Sequence, residues 1–233
     1  MLEVRNLHTH YGRAEILADV SFEIHAGQVA ALLGRNGAGK STTLKSIMGI
    51  VRPTRGEVFF AGQSISRMQP FEICRMGLGY VPEERRIFTS LTVAENLDVA
   101  RQPAREGAPA WTLDRLFTLF PNLAELRAKS ASAISGGEQQ MLTVARTLMG
   151  NPSAILLDEP SEGLAPVIVE QMVETLKELK AEGVTILLSE QNLNFAGLVA
   201  DRAIIIEKGR IRYTGAMQEA LSDESIRMAY LSV

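Results

Sequence analysis

With Cys74 as its only cysteine, the chain cannot form an internal disulfide. That fits a reducing compartment. Long hydrophobic runs are also missing. The longest, such as Ala154–Leu157 and Ala203–Ile206, are strand-sized, and none approaches the roughly 20 apolar residues that span a bilayer. Met1-Leu2-Glu3-Val4-Arg5 lacks the apolar stretch of a secretory signal. Work at a membrane would therefore go through a partner. Excess charge is scarce: 24 basic against 27 acidic residues leave a net −3, so no general attraction to nucleic acid is expected. The three histidines, His8, His10 and His25, have no zinc-like spacing with cysteine and read as exposed strand residues. No repeat, coiled coil or low-complexity tract is present, and no Asn-Lys-x-Asp segment to read guanine.

What is present supports a core, since 46% of the residues are hydrophobic. Val20, Phe22 and Ile24 alternate with polar neighbours as in a half-buried strand. Glu57–Phe60, Leu78–Val81, Ala154–Leu157, Val184–Leu188 and Ala203–Ile206 read as further strands. Ile168, Met172, Leu176 and Leu179 mark one apolar face of a helix between the later ones. Strands alternating with helices predict a mostly parallel sheet in an α/β core. Lys208-Gly209 reads as a turn between two short strands, and the C-terminal stretch as helix. The stretch from about Glu84 to Gly150 differs. It holds helical patterns at Val93–Ala100, Leu113–Phe120 and Ser135–Met149, with a Pro/Gly-containing loop at Arg101–Ala110. A helical lobe inserted into the α/β core is expected there.

Gly34-Arg35-Asn36-Gly37-Ala38-Gly39-Lys40-Ser41 matches the G-x-x-x-x-G-K-[ST] phosphate loop in full. The apolar run Val29–Leu33 precedes it, and the helix-compatible run Ser41–Met48 follows. The plain alternative, a Gly-rich turn before a core helix, does not account for the full match in this context. Glycines let backbone N–H groups wrap a phosphate chain, and the helix start adds partial positive charge. Lys40 would reach the terminal phosphates and Ser41 would hold Mg²⁺.

Ala154–Leu157 leads into Asp158-Glu159. Two carboxylates at a strand end are often only a solvated terminus. Beside a phosphate loop they read as chemistry. Asp158 would support Mg²⁺, directly or through water, and Glu159 would polarise the attacking water as a general base. Ser135-Gly136-Gly137-Glu138 forms a Ser-x-x-Glu capping box. Its glycines also expose donors to an anion, giving a second candidate phosphate-binding helix start.

These motifs resemble the nucleotide-binding subunit of an ATP-binding cassette transporter. Ile134-Ser135-Gly136-Gly137-Glu138 is similar to the family signature Leu-Ser-Gly-Gly-Gln and lies upstream of Leu156-Leu157-Asp158-Glu159-Pro160, in the family's order. The resemblance spans essentially the whole chain. It implies a P-loop NTPase (RecA-like) core with an antiparallel β subdomain and an inserted α-helical subdomain. On that reading residues 1–233 form one ATPase domain, with 1–84 and 151–233 as the core and 85–150 as the helical subdomain. ATP with Mg²⁺ would lie against Gly34, Asn36, Gly37, Ala38, Gly39, Lys40, Ser41 and Thr42, with Tyr11 stacked on adenine. The family pairs two subunits head to tail, so Ser135, Gly136, Gly137 and Glu138 would act on the partner's ATP.

Three departures narrow the resemblance. Glu83 stands where most relatives have Gln near Mg²⁺ and the attacking water. Gln191 stands where the switch residue is usually His, and Glu190 is the alternative group to enter the site. Ala165 stands where many relatives carry Asp. With Val81–Phe88, Gly163–Pro166 and the tail Ser225–Leu231, they resemble the F-type ATPases of branched-chain amino-acid importers, with the urea and short-amide importers closely similar. The branch implies a second ATPase subunit, identical or of a G-type, transmembrane permeases and, indirectly, a solute-binding protein. It places the chain peripherally on the cytoplasmic face of the inner membrane, and nucleic acid is not expected as a partner. Ile87, Phe88 and Leu91 suit a permease contact and suit a core equally. A soluble non-transport ATPase with the same cassette is the other class. Such relatives usually carry a coiled coil or tandem cassettes, which this chain lacks.

Overall fold

Two sheets share the strands of the computed structural model, which describes residues 1–226 and Met228. The first is antiparallel. Strand β1 (Leu2–Tyr11) pairs with β2 (Ala14–Ile24) on one side and β4 (Arg55–Phe60) on the other, and β5 (Gln63–Ser64) closes the edge. Along β2, Leu17, Val20, Phe22 and Ile24 are buried while Asp19, Ser21 and Glu23 are exposed, which is the alternation expected of a sheet with one wet face.

The second sheet has the order β10-β9-β3-β8-β7-β6. Its parallel strands are β3 (Val29–Leu33), β6 (Leu78–Val81), β7 (Ala154–Asp158), β8 (Thr185–Glu190) and β9 (Arg202–Glu207). The edge strand β10 (Arg210–Ala216) runs antiparallel to β9 across the Lys208-Gly209 turn. Strands β3, β7 and β8 are buried at every residue, so they are covered on both faces and read as continuous apolar runs rather than as alternation.

Strand β3 separates two cores. Ala30 and Leu32 face the first, with Val4, Leu7 and Leu17 of the antiparallel sheet and Leu44 and Ile47 of α1 (Lys40–Ile47). Val29, Ala31 and Leu33 face the second, with Leu142 and Ala145 of α6 (Gly136–Leu148) and Met172 and Leu176 of α7 (Pro166–Ala181).

The stretch after β6 is helical. It holds α3 (Val93–Asp98), α4 (Leu113–Leu119), α5 (Pro121–Glu125) and α6, and Arg101–Ala110 is loop. Helix α5, with Pro121 opening its first turn, was not anticipated, and neither was α2 (Pro70–Met76). Both are too short for apolar periodicity to declare them. The helical stretch is not sealed off: Leu97, Leu116 and Phe120 share one core with Ile155 and Leu157 of β7. The loop between β6 and α3 is tied to α6, since Thr143 Oγ1 donates to the Arg85 carbonyl and Arg146 to that of Arg86. Helix α8 (Leu193–Val199) joins β8 to β9, and α9 (Met217–Ser222) and α10 (Glu224–Ile226) follow β10. Of the tail Ser225–Leu231, Arg227, Ala229, Tyr230 and Leu231 lie outside the described residues.

The parallel strands bring their C-terminal ends together. Leu33 lies in register with Glu190, and Asp158 with Ser189. The segments carrying Gly34, Glu83, Glu159 and Gln191 therefore leave the same edge of the sheet, where α/β sheets bind ligands.

Candidate functional site

The loop Gly34–Gly39 joins β3 to α1. Gly39 is the N-cap at φ 111°, and a Cβ there would lie 2.8 Å from Leu17 Cδ2. Only glycine fits that turn. No side chain caps α1 and no acid sits in its first turn, so its leading N–H groups are left for a ligand. The Ala38 carbonyl accepts from Gly209 N at 2.9 Å, which seats the loop against the β9–β10 turn.

Lys40 is buried. Its Nζ donates to the carbonyls of Gly34 (2.7 Å) and Arg35 (3.2 Å) and lies 2.9 Å from Glu159 Oε1. Glu159 follows β7 in the left-handed region at φ 48°, and its N–H donates to Ser189 Oγ at 3.1 Å. Burial pushes its carboxyl up to about 7 against the pull of Lys40, and Glu190 and Glu162 add to the rise. Oε2 is buried without a hydrogen-bond partner among the described residues. Glu159 is thus held by one cation and has an open acceptor.

Asp158 is fully buried. Oδ1 accepts from Ser41 Oγ (2.9 Å) and Ser189 Oγ (2.7 Å), and Oδ2 from the Tyr80 hydroxyl (3.1 Å). Burial first, and then Asp158, push the Tyr80 hydroxyl well up, so it remains a donor. Because Ser41 gives its proton to Asp158, its oxygen lone pairs are free to meet a cation. No group of three or more His, Cys, Asp or Glu able to hold a metal is found among the described residues. The Ser41 hydroxyl and the Asp158 carboxylate, 2.9 Å apart, are the kind of oxygen donors that fit Mg²⁺, which binds through one or two protein groups plus substrate phosphates and water.

Above these groups opens a cleft of about 450 Å³. Asn36, Gly37, Gly39, Lys40, Ser41 and Thr42 line its floor, with Tyr11, Glu83 and Glu159 also on its walls. Tyr11 is half exposed. Burial, and then Glu162, Asp158 and Glu84, push the Glu83 carboxyl upward. Gly34 and Asp158 sit just beneath, through the contacts already given.

Two sets of expected residues stand apart. Ser135–Glu138 open α6 outside the cleft. The Ser135 hydroxyl accepts from Glu138 N (3.3 Å), and Glu138 Oε2 from Ser135 N (2.6 Å). A Cβ on Gly136 would lie 2.6 Å from Arg85 Nη1, and one on Gly137 2.9 Å from Ile168 Cγ1. Gln191 has an exposed side chain that is not part of the cleft wall. Its neighbour Glu190 is buried instead and accepts backbone N–H groups from Ser161, Gln191 and Asn192. Burial pushes the Glu190 carboxyl up, against the pull of those donors.

Tyr80, Ser189 and Glu162 belong to the site without having been singled out from the sequence. Ser189 faces Asp158 only because β7 and β8 pair in that register. Tyr80 reaches Asp158 from β6, across the strand pair of β6 and β7.

The chain resembles known proteins along most of its length. The family model described as ABC transporter matches residues 17–162. The high-affinity branched-chain amino acid transport ATP-binding protein BraG of Pseudomonas aeruginosa is 41% identical over 231 residues, covering 99% of this chain and 99% of that protein. The lipopolysaccharide export system ATP-binding protein LptB of Haemophilus influenzae is 34% identical over 239 residues, covering 99% and 97%. A solved structure of the ATP-binding subunit of an ABC transporter superposes with a TM-score of 0.83 at 30% identity, covering 99% of this chain and 96% of that one.

Proposed function

The chain belongs to the ABC transporter family, as an ATP-hydrolysing subunit, and from that premise we propose that it powers the import of branched-chain amino acids through separate membrane permeases. Likeness to BraG over the full length of both chains carries this reading. Among the described residues no helix is long and apolar enough to cross a membrane. The subunit would sit peripherally on the cytoplasmic face of the inner membrane.

ATP would enter the cleft with its base on Tyr11 and its phosphates over Gly37–Thr42. Lys40 then exchanges Gly34, Arg35 and Glu159 for phosphate oxygens. Glu159 loses its cation and its carboxylate turns to the attacking water, a role worth roughly 10²–10⁴-fold in rate. Ser41 and Asp158, with Glu83 on the rim, would hold Mg²⁺, which neutralises charge on the phosphates when bound. Gln191 would meet the terminal phosphate by amide donation. Ser135, Gly136, Gly137 and Glu138 lie outside this cleft and would complete the site of a second ATPase subunit, identical or related. The loop at 83–90 and the half-exposed Phe88 would form the permease contact, with the solute-binding protein engaged indirectly.

The reading is tested by purifying the tagged chain from membranes and measuring leucine uptake in cells with and without it. Co-purifying permeases and uptake that depends on Glu159 are expected. Loss of lipopolysaccharide export with unchanged uptake would overturn it in favour of the second reading, which LptB at 34% identity supports. Uptake of urea or a short amide would place the chain with those importers instead.

A further inference from the structure

Glu190, the alternative to Gln191 as a group entering the site, is buried and does not line the cleft. It ends β8, is 1% exposed, and receives three donors from two separate loops. Oε1 accepts from Ser161 N at 3.1 Å, in the segment that follows Glu159 and Pro160. Oε2 accepts from Gln191 N and Asn192 N, each at 3.1 Å, in the segment that leads to α8. The Asn192 side chain in turn caps α8 through Phe195 N. The backbone carbonyl of Glu190 takes Gly34 N at 3.4 Å, the first residue of the phosphate loop. One residue thus ties together the start of the phosphate loop, the segment after Glu159 and the segment bearing Gln191.

A buried acid is costly unless its oxygens are filled, and these are. A hydroxyl or amide side chain cannot replace it. Only a carboxylate offers two acceptor oxygens and no donor, so only it can take N–H groups from both loops at once.

We propose that Glu190 is a positioning residue for ATP hydrolysis: it fixes the backbone at Gln191 relative to the segment that carries Glu159. The inference rests on the ATPase reading of the site, which wild-type turnover measured in parallel tests separately.

Glu190→Gln keeps the volume but turns one acceptor into a donor, so whichever way the amide faces, one loop is released. In the full-length protein this variant should bind ATP with wild-type affinity and lose roughly 10- to 100-fold in kcat, the scale of a misplaced reacting group. Glu190→Asp, which keeps two acceptors, should recover part of that loss. In a Gln191→Ala background Glu190→Gln should cost far less, because the group it positions is gone. Wild-type kcat in Glu190→Gln, collapse of ATP affinity, or an equal fall in both backgrounds would each overturn the proposal. Should Glu190→Gln fail to fold, Glu190→Asp and amide hydrogen exchange of the wild-type protein carry the test. Slow exchange at Ser161, Gln191 and Asn192 is expected, and exchange at the rate of free loop would overturn it.

Discussion

Helices α1 and α6 both have a glycine at their start, Gly39 as the N-cap of α1 and Gly136 as the first residue of α6, yet their N-termini are built in opposite ways. Gly39 leaves α1 without a side-chain cap or an acid in its first turn. Ser135 and Glu138 close α6 with a reciprocal capping box. Around α1 gather Lys40, Ser41, Asp158 and Glu159 from the same chain. Around the start of α6 the chain supplies Arg85 and Ile168, and the Glu138 carboxylate is occupied by Ser135 N. The α1 end is left open by its own chain, as an end that an anion would finish is expected to be. The α6 end is already ordered by its own side chains before any anion arrives. An open end can bind tightly on its own, whereas a closed one can only add to a phosphate that another loop holds.

The sharpest way to break this contrast is at the chemistry beside α1. Glu159→Gln should lower single-turnover hydrolysis by roughly 10²–10⁴-fold while ATP still binds. An unchanged single-turnover rate would remove Glu159 as the base. Lys40→Ala should weaken ATP binding by about 10- to 100-fold, the scale of charge-assisted hydrogen bonds. Unaltered affinity by calorimetric titration would contradict a phosphate role for Lys40. Substitution at α6 should behave differently. Gly136→Ala is expected to slow steady-state turnover by about tenfold, the scale of one misplaced contact, and to leave the affinity of dilute protomers for ATP untouched. A fall in that affinity would mean α6 serves its own chain's nucleotide. The smallest free-energy effect should be on folding: Ser135→Ala removes the cap and should lower stability by about 1 kcal/mol in denaturant unfolding, besides slowing turnover through the partner's ATP as Gly136→Ala does. No change in the midpoint would show that the capping box does not hold α6.

Much of the fold was legible because β3, β7, β8 and β9 are buried on both faces and so appear as uninterrupted apolar runs. Short elements were not, since α5 has only five residues and its place is set by the core it meets. Within the site the difference is one of distance along the chain. The phosphate loop is contiguous, so its residue types and spacing are visible together. Asp158's partners are not. Ser189 and Tyr80 are 31 and 78 residues away and meet it only through strand register. The choice between Glu190 and Gln191 stayed open in the sequence because a carboxylate gives no sign that backbone donors from another loop will bury it. In the structure Glu190 turns inward to those donors, and Gln191 faces outward.

Strand β3 serves both cores, through Val29, Ala31 and Leu33 on one side and Ala30 and Leu32 on the other. It is also the strand that delivers Gly34. If heat or denaturant opens one core before the other, the strand loses one of its two supports, and the proposed grip on nucleotide is expected to go with it. Loss of activity would then mark the first core to fail, not the last.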